Sequence, residues 1–297
     1  MADTRQYQCP WCDQNSDATT LRCPSCGSPI DLRAAVSQGR WSELPKIKDM
    51  TMIQFNQSFC QIAGKYVPVA DFNLAPGEKI YFGRQLLLWK DEQVKVNATI
   101  NLMRIFETLL AGMPLLRTEA TGPGRLAFSK DMPGKLIPLP LQKGKTIDVR
   151  KHLFMIATHS VEFDWFSTNI WFDTQNGKDI DRHFPIGKYM DRFTATDEPG
   201  LLLLHGSGHV FFRELDEGQS ILIKPTSLLF KETTVQMHLH FEHPVGFEPN
   251  LFITQFRHIW LRLVGPGRIA VQSHFEPMEG EQGYIINRSP MTTVKQW

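Results

Sequence analysis

From Thr51 onward the apolar positions recur with the short period of extended chain. Met52–Phe59 alternates imperfectly, and so do Val94–Ile100 and Asn101–Phe106; such alternation marks strands with one covered face. Lys79-Ile-Tyr-Phe82 and Leu86-Leu-Leu-Trp89 are apolar runs set between turn signals such as Ala75-Pro-Gly-Glu78. Strands spaced about ten residues apart, with Gly and Pro at the joints, predict an all-β sandwich or barrel. Leu136-Ile-Pro-Leu-Pro-Leu141 reads as an edge strand, because proline has no N–H for a second neighbour. Helical signals are few: Asp31–Gln38, with Asp31 as N-cap and Gly39 just beyond, and the short stretch Glu107–Met113 before Pro114.

One pattern returns along the chain. Gly122–Phe128 reads Gly-Pro-Gly-Arg-Leu-Ala-Phe and Gly265–Val271 reads Gly-Pro-Gly-Arg-Ile-Ala-Val, with Gly206–Phe212, Gly-Ser-Gly-His-Val-Phe-Phe, as a looser third copy. A glycine beside a strand marks a bulge, a corner or a close backbone approach that a Cβ would block. The recurrence predicts an internal duplication: two antiparallel lobes meeting near residue 190, in a sandwich or barrel-like domain.

Cys9-Pro-Trp-Cys12 and Cys23-Pro-Ser-Cys26 are two Cys-x-x-Cys knuckles separated by a short polar loop. Four thiolates so spaced can close a tetrahedral shell, which suits one structural Zn²⁺ per chain. A segment this short buries too little apolar surface to fold alone, so metal affinity would supply its folding energy. The domains expected are a zinc ribbon over 1–30, a linker over 31–48, the β domain over 49–275 and a polar tail over 276–297. Cys60, the remaining cysteine, has no basic partner adjacent in sequence and reads as a small buried hydrophobe.

With 32 Lys plus Arg against 31 Asp plus Glu, the chain has a formal net charge of +1. That balance gives no global attraction to nucleic acid or to an anionic membrane. No apolar run approaches the roughly 20 residues of a membrane-spanning helix, and the first residues read as neither an export signal nor a transit peptide. A cytoplasmic protein is expected. The aromatic stretch Phe163–Phe172 is expected as a hairpin about Ser167–Asn169, its rings in a core or covered by a neighbouring subunit.

Chemistry has one candidate cluster, His238-Leu-His240 with Glu242 and His243. Residues 238 and 240 of a strand point to the same face, so two imidazoles could share a metal, as in cupins. The spacing departs from that pattern: Glu242 is too close, position 232 is Glu, and the distant ligands would have to be His258 or His274. His159 and Ser160 are adjacent, the wrong arrangement for a base and its nucleophile. Asp179, Asp181 and Asp191 with Arg182 and Arg192 read as a solvated charged region.

The chain resembles the altered-inheritance-of-mitochondria (mitochondrial biogenesis) family. The match is carried by Thr121–Phe128, Leu153–Glu162, Leu204–Phe211, Gly218–Lys224 and Leu263–Gln272, and covers about residues 100 to 275, more weakly 50 to 100. The resemblance implies a β fold similar to the tryptophan RNA-binding attenuation protein, assembly into symmetric oligomers, and no assigned catalytic residue. A fold does not carry function. An RNA-binding ring would need basic and aromatic residues recurring at equivalent sites, and only Arg125 and Arg268 do so.

The sequence is therefore read as a non-catalytic, homo-oligomeric scaffold or interaction module with a structural zinc site. A protein partner would be reached through the ribbon or the aromatic segment. The rivals are a nucleic-acid-binding protein and a cupin-like metalloenzyme built on His238 and His240.

Overall fold

The computed structural model describes residues 6–8, 15–17, 24–25, 42–43, 51–83, 85–100, 116–243, 258–280, 284–290 and 292–296. Among them the regular structure is β, apart from one 3-10 turn at Pro225–Ser227. The all-β antiparallel architecture expected from the alternation is the one observed. One exception is a parallel pairing of Gln236–His243 with Thr292–Gln296.

The strands group into three successive units of the same topology. The first comprises Val69–Leu74, Lys79–Phe82, Leu87–Lys90, Lys95–Ile100, Leu116–Thr121 and Gly124–Ser129. The second comprises Lys135–Leu141, Thr146–Arg150, Phe154–Thr158, Val161–Ser167, Tyr189–Ala195 and Gly200–Gly206. The third comprises Val210–Leu215, Ser220–Ile223, Leu228–Glu232, Gln236–His243, His258–Val264 and Gly267–Gln272. In each unit the sixth strand lies between the first and third, and the fifth lies between the second and fourth.

Each unit is thus a two-sheet sandwich, and neighbouring units share sheets. The second strand of the first unit pairs with the third strand of the second unit, Phe82 opposite Ile156. The second strand of the second unit pairs with the third strand of the third, Val149 opposite Phe230. The repetition expected as two lobes is therefore carried by three units, with joints at 130–134 and 207–209; residue 190 lies inside a strand of the middle one.

The shared sheets are covered on both faces, which explains their unbroken apolar runs. Along Leu201–Leu204, Leu201 and Leu203 enter the first core with Ile80, Phe82 and Phe128. Leu202 and Leu204 enter the second core with Tyr81, Val149 and Phe193. The third core lies beyond, around Phe172, Met190, Leu239, Phe241 and Leu261. Burial of each such side chain contributes roughly 1.5–3 kcal/mol.

The Gly-Pro-Gly turns join the fifth and sixth strands of the first and third units. A Cβ on Gly122 would strike the Ala75 carbonyl and Leu74 Cβ, and one on Gly265 would strike the Asp216 carbonyl and Leu215 Cβ. Equivalent hydrogen bonds close both turns: Gly122 N–H donates to Glu78 O (3.0 Å) and Gly265 N–H to Gln219 O (2.9 Å). The third copy is not equivalent. Gly206-Ser207-Gly208 joins the second unit to the third, and the fifth and sixth strands of the middle unit are linked by residues 196–199 instead.

The first strand of each unit is an edge, and each edge is managed differently. In the first unit it is paired by Ser58–Ala63. In the second it is the proline-bearing strand, whose only pairing among the described residues is with Gly200–Gly206, Pro138 opposite Leu203, as expected. In the third it takes up Ser42–Glu43 from the segment read as a linker.

Three sequence expectations take a different form. The aromatic stretch is not a hairpin, because Val161–Ser167 pairs with Tyr189–Ala195 while Phe172–Asn176 enters a separate sheet with Asp179–His183 and Tyr284–Arg288. The stretch read as a polar tail supplies two strands, Tyr284–Arg288 and Thr292–Gln296. The charged region around Asp191 is not a solvated loop: Asp179–His183 is an exposed strand, whereas Asp191 is buried within Tyr189–Ala195.

Candidate functional site

The histidine-bearing strand Gln236–His243 sends Leu239 and Phe241 into the third core. Its period of two therefore turns His238, His240 and Glu242 to the outer face, as the sequence predicts. There the groups are engaged with neighbours. His240 Nδ1 is 2.6 Å from Thr293 Oγ1, while its Nε2, buried without a hydrogen-bond partner, is 3.6 Å from Glu242 Oε1. The Trp260 indole N–H donates to Glu242 Oε2 at 2.8 Å. His238 has its pKa lowered by burial first and by Arg262 second, which favours the neutral ring. His258 lies opposite Glu242 in the neighbouring strand, and its ring centroid is 5.9 Å from that of Trp260. His274 is exposed near the end of the third unit. His243 pairs through its backbone with Gln296. Among the described residues no group of three or more His, Cys, Asp or Glu is disposed to hold a metal.

A second polar cluster, not anticipated from sequence, sits in the seam between the second and third units. Asp148 is fully buried, and its carboxylate accepts two bonds from Arg192, Nε at 2.7 Å and Nη2 at 3.1 Å. Lys231 Nζ donates to the same carboxylate at 2.8 Å. Asp148 and Lys231 are also register partners across the seam. The Arg192 guanidinium caps the Phe166 ring, 4.4 Å from its centroid. The arrangement neutralises a buried carboxylate with two cations, Arg192 from its own unit and Lys231 from the next.

Other candidates resolve into local structure. His159 lies 3.6 Å from Glu119, while Ser160 Oγ shares a hydrogen bond with Thr158 (3.0 Å) and donates to Pro199 O (3.3 Å). Cys60 is fully buried in the first core, and burial, with Asp71 adding to it, pushes its thiol pKa far up, so it is held as the unreactive thiol. Arg125 pairs with Asp71 at 2.5 Å, and Arg268 sits 6.0 Å from the Phe212 ring centroid.

Cys9, Cys12, Cys23 and Cys26 lie outside the described residues. The described backbone beside them is a hairpin of Gln6–Gln8 with Asn15–Asp17, Gln8 opposite Asn15, whose connection contains Cys9 and Cys12. Between Cys23 and Cys26, Pro24 and Ser25 form an exposed turn.

One strand stands apart from these polar groups. Leu87–Lys90 is the outermost strand of its sheet, and Leu88 and Trp89 are 60% and 42% exposed. Sequence reading placed Leu86–Trp89 as an apolar strand, and nothing in the run itself tells a covered edge from an open one.

Comparison with known proteins gives a family and a fold. The profile of the family described as Mitochondrial biogenesis AIM24 matches residues 60–274, which takes in the first unit as fully as the later two. The chain is similar to a Streptococcus pyogenes protein of known crystal structure, with 19% identity and a TM-score of 0.52, over 80% of this chain and 94% of that one. At that identity the likeness concerns the fold alone. No curated protein matches the sequence. No helix among the described residues is long and apolar enough to cross a membrane.

Proposed function

The chain belongs to the family described as Mitochondrial biogenesis AIM24, and from that premise we propose that it is a non-catalytic scaffold that assembles from several copies and carries a structural zinc ribbon. The observation that carries this reading is the contrast between its polar and apolar groups. The Asp148 carboxylate at the seam is paired with Arg192 and Lys231, and the Glu242 carboxylate on the outer face of the histidine strand accepts from Trp260. Large apolar side chains, Leu88 and Trp89, stand exposed on a strand that has no outer neighbour among the described residues, the kind of feature that natural β proteins cover by assembly.

The zinc site is supported by its donor set and by the backbone on either side of it. A hairpin brackets the first Cys-x-x-Cys and a turn occupies the second. Bound there, zinc would cross-link the two knuckles through four thiolates and leave no open coordination position, so its role would be structural.

Native mass spectrometry of the full chain with metal analysis tests both parts. A discrete assembly with one zinc per chain is expected, the zinc being lost from a Cys9→Ser/Cys23→Ser variant whose β body still unfolds cooperatively. A monomer at all concentrations, or a retained small molecule, would overturn the scaffold reading.

A further inference from the structure

The three units share one topology and align residue by residue where their third and sixth strands pair, and the alignment shows what the exposed strand lacks. In every unit the third strand pairs with the sixth through the same bulge. Register shifts between Leu87 and Trp89 opposite Phe128 and Ala127, between Phe154 and Ile156 opposite Leu204 and Leu203, and between Leu228 and Phe230 opposite Val271 and Ala270. Leu88, Met155 and Leu229 are therefore counterparts, as are Trp89, Ile156 and Phe230.

Their surroundings differ in one respect. Met155 and Ile156 reach back into the core of the first unit, and Leu229 and Phe230 reach back into the core of the second. These four are at most 1% exposed. By that equivalence Leu88 and Trp89 stand where a preceding unit would cover them, and no such unit occurs among the described residues. At the other end of the molecule, Ser220–Ile223 has no outer neighbour among the described residues, in the position where Lys79–Phe82 and Thr146–Arg150 receive the next unit. Ile221 and Leu222 are only half-buried there, whereas their counterparts Ile80, Tyr81, Ile147 and Asp148 are buried.

We propose that Leu87–Lys90 of one copy adds to the Ser220–Ile223 edge of a second copy, with Leu88 and Trp89 closing that copy's third core. The inference rests on the scaffold reading and names the surface that would build it. The occupant is a second copy because each chain carries both halves of a seam that it already uses twice internally.

The register follows. The turn before each second strand is closed by the same bond, Glu78 N–H to Ala75 O, Lys145 N–H to Gln142 O and Gln219 N–H to Asp216 O. Phe82, Val149 and Ile223 are thus equivalent. Phe82 faces Ile156 and Val149 faces Phe230, so Ile223 faces Trp89 and Leu222 faces Lys90. That last pair occupies the place that Asp148 and Lys231 hold in the second seam. The contact is heterologous, one edge meeting a different edge, so it propagates into a closed ring or an open fibre and not into a two-fold dimer.

Sedimentation of the full chain across a concentration series, with three variants, tests this. Leu88→Asp/Trp89→Asp alters only exposed side chains, and Leu222→Lys sets a lysine against Lys90. Each alone is expected to be a folded monomer, with unchanged circular dichroism and at least a tenfold weaker self-association. Mixed together they should form a dimer and nothing larger, since each brings one intact edge. Adding Lys90→Glu to Leu222→Lys should restore assembly. Wild-type oligomers that persist unchanged in both edge variants would sink the edge proposal while sparing the scaffold reading. A wild-type chain that stays monomeric throughout would sink both. A two-fold dimer lost in one variant alone would show an isologous contact and overturn the pairing.

Discussion

Lys231 Nζ lies 2.8 Å from Asp148 Oδ2, and both side chains are almost wholly shielded from solvent where the second and third units meet. Removing one partner strands the other in a medium that solvates charge poorly. Asp148→Asn is expected to cost about 3–5 kcal/mol. Lys231→Met should cost less, because Arg192 still grips both carboxylate oxygens. The double change Asp148→Leu/Lys231→Met should be milder than the sum of the single changes, a coupling that urea unfolding of the four proteins would measure.

His205 should make the fold sensitive to acid. Its ring is buried, its Nε2 is 3.3 Å from Met132 O, and its Nδ1 is buried without a partner. Burial first, and Lys130 second, lower its pKa to about 4. The unfolded chain takes up a proton near the ordinary value of 6.5 and the folded chain only near 4, so stability is lost as pH falls through that interval. In denaturant titrations at several pH values, His205→Gln should remove this contribution, raising stability on the acid side relative to neutral pH.

Asp191 works in the opposite sense. Burial raises its pKa from 3.8 to about 7, partly offset by Lys151. The folded state holds its proton where the unfolded state has released it, so stability declines as pH rises between these two values. Asp191→Asn should remove that decline and stabilise the protein at pH 7 and above by a few kcal/mol at most. Because the two residues oppose each other over much of the same interval, the wild-type profile should be flatter than either variant's. A steep wild-type profile would count against both assignments.

The two Gly-Pro-Gly corners should resist enlargement. Gly122→Ala and Gly265→Ala each drive a methyl group onto a carbonyl oxygen and a leucine Cβ, an overpacking cost of about 1–3 kcal/mol. Effects so far apart should add. Gly77→Ala is the control: φ there is +79° with open space around the new atom, so only the strain of a left-handed residue remains, about 1 kcal/mol. Thermal unfolding of the three single variants and the double variant distinguishes these outcomes.

Several features could be read from the sequence because their causes are local. Pro138 and Pro140 mark an edge through the N–H they lack, and the recurring glycines mark corners through the Cβ they lack. The common face of His238, His240 and Glu242 follows from the strand period alone. The rest depends on partners far apart in the chain. Asp148 and Lys231 carry no mutual signal in sequence, and Asp191 sits in a run of charges that looks solvated until a sheet forms on either side. Gly206-Ser-Gly208 resembles the two true corners in letters but occupies a joint between units, so matching it to them suggested two lobes where the topology repeats three times. The engagement of His240 with Thr293 required a strand from a segment that reads as a polar tail.

Sheet sharing also bears on the order in which a nascent chain can mature. The first core draws Met155, Ile156, Leu201 and Leu203 from the second unit, and the second core draws Leu229, Phe230 and Ala270 from the third. A ribosome that has released only the first unit has therefore supplied an incomplete interior with an open strand. The first two sandwiches wait for synthesis of the next. Folding of this body should be late and non-local, with slow closure governed by chain topology.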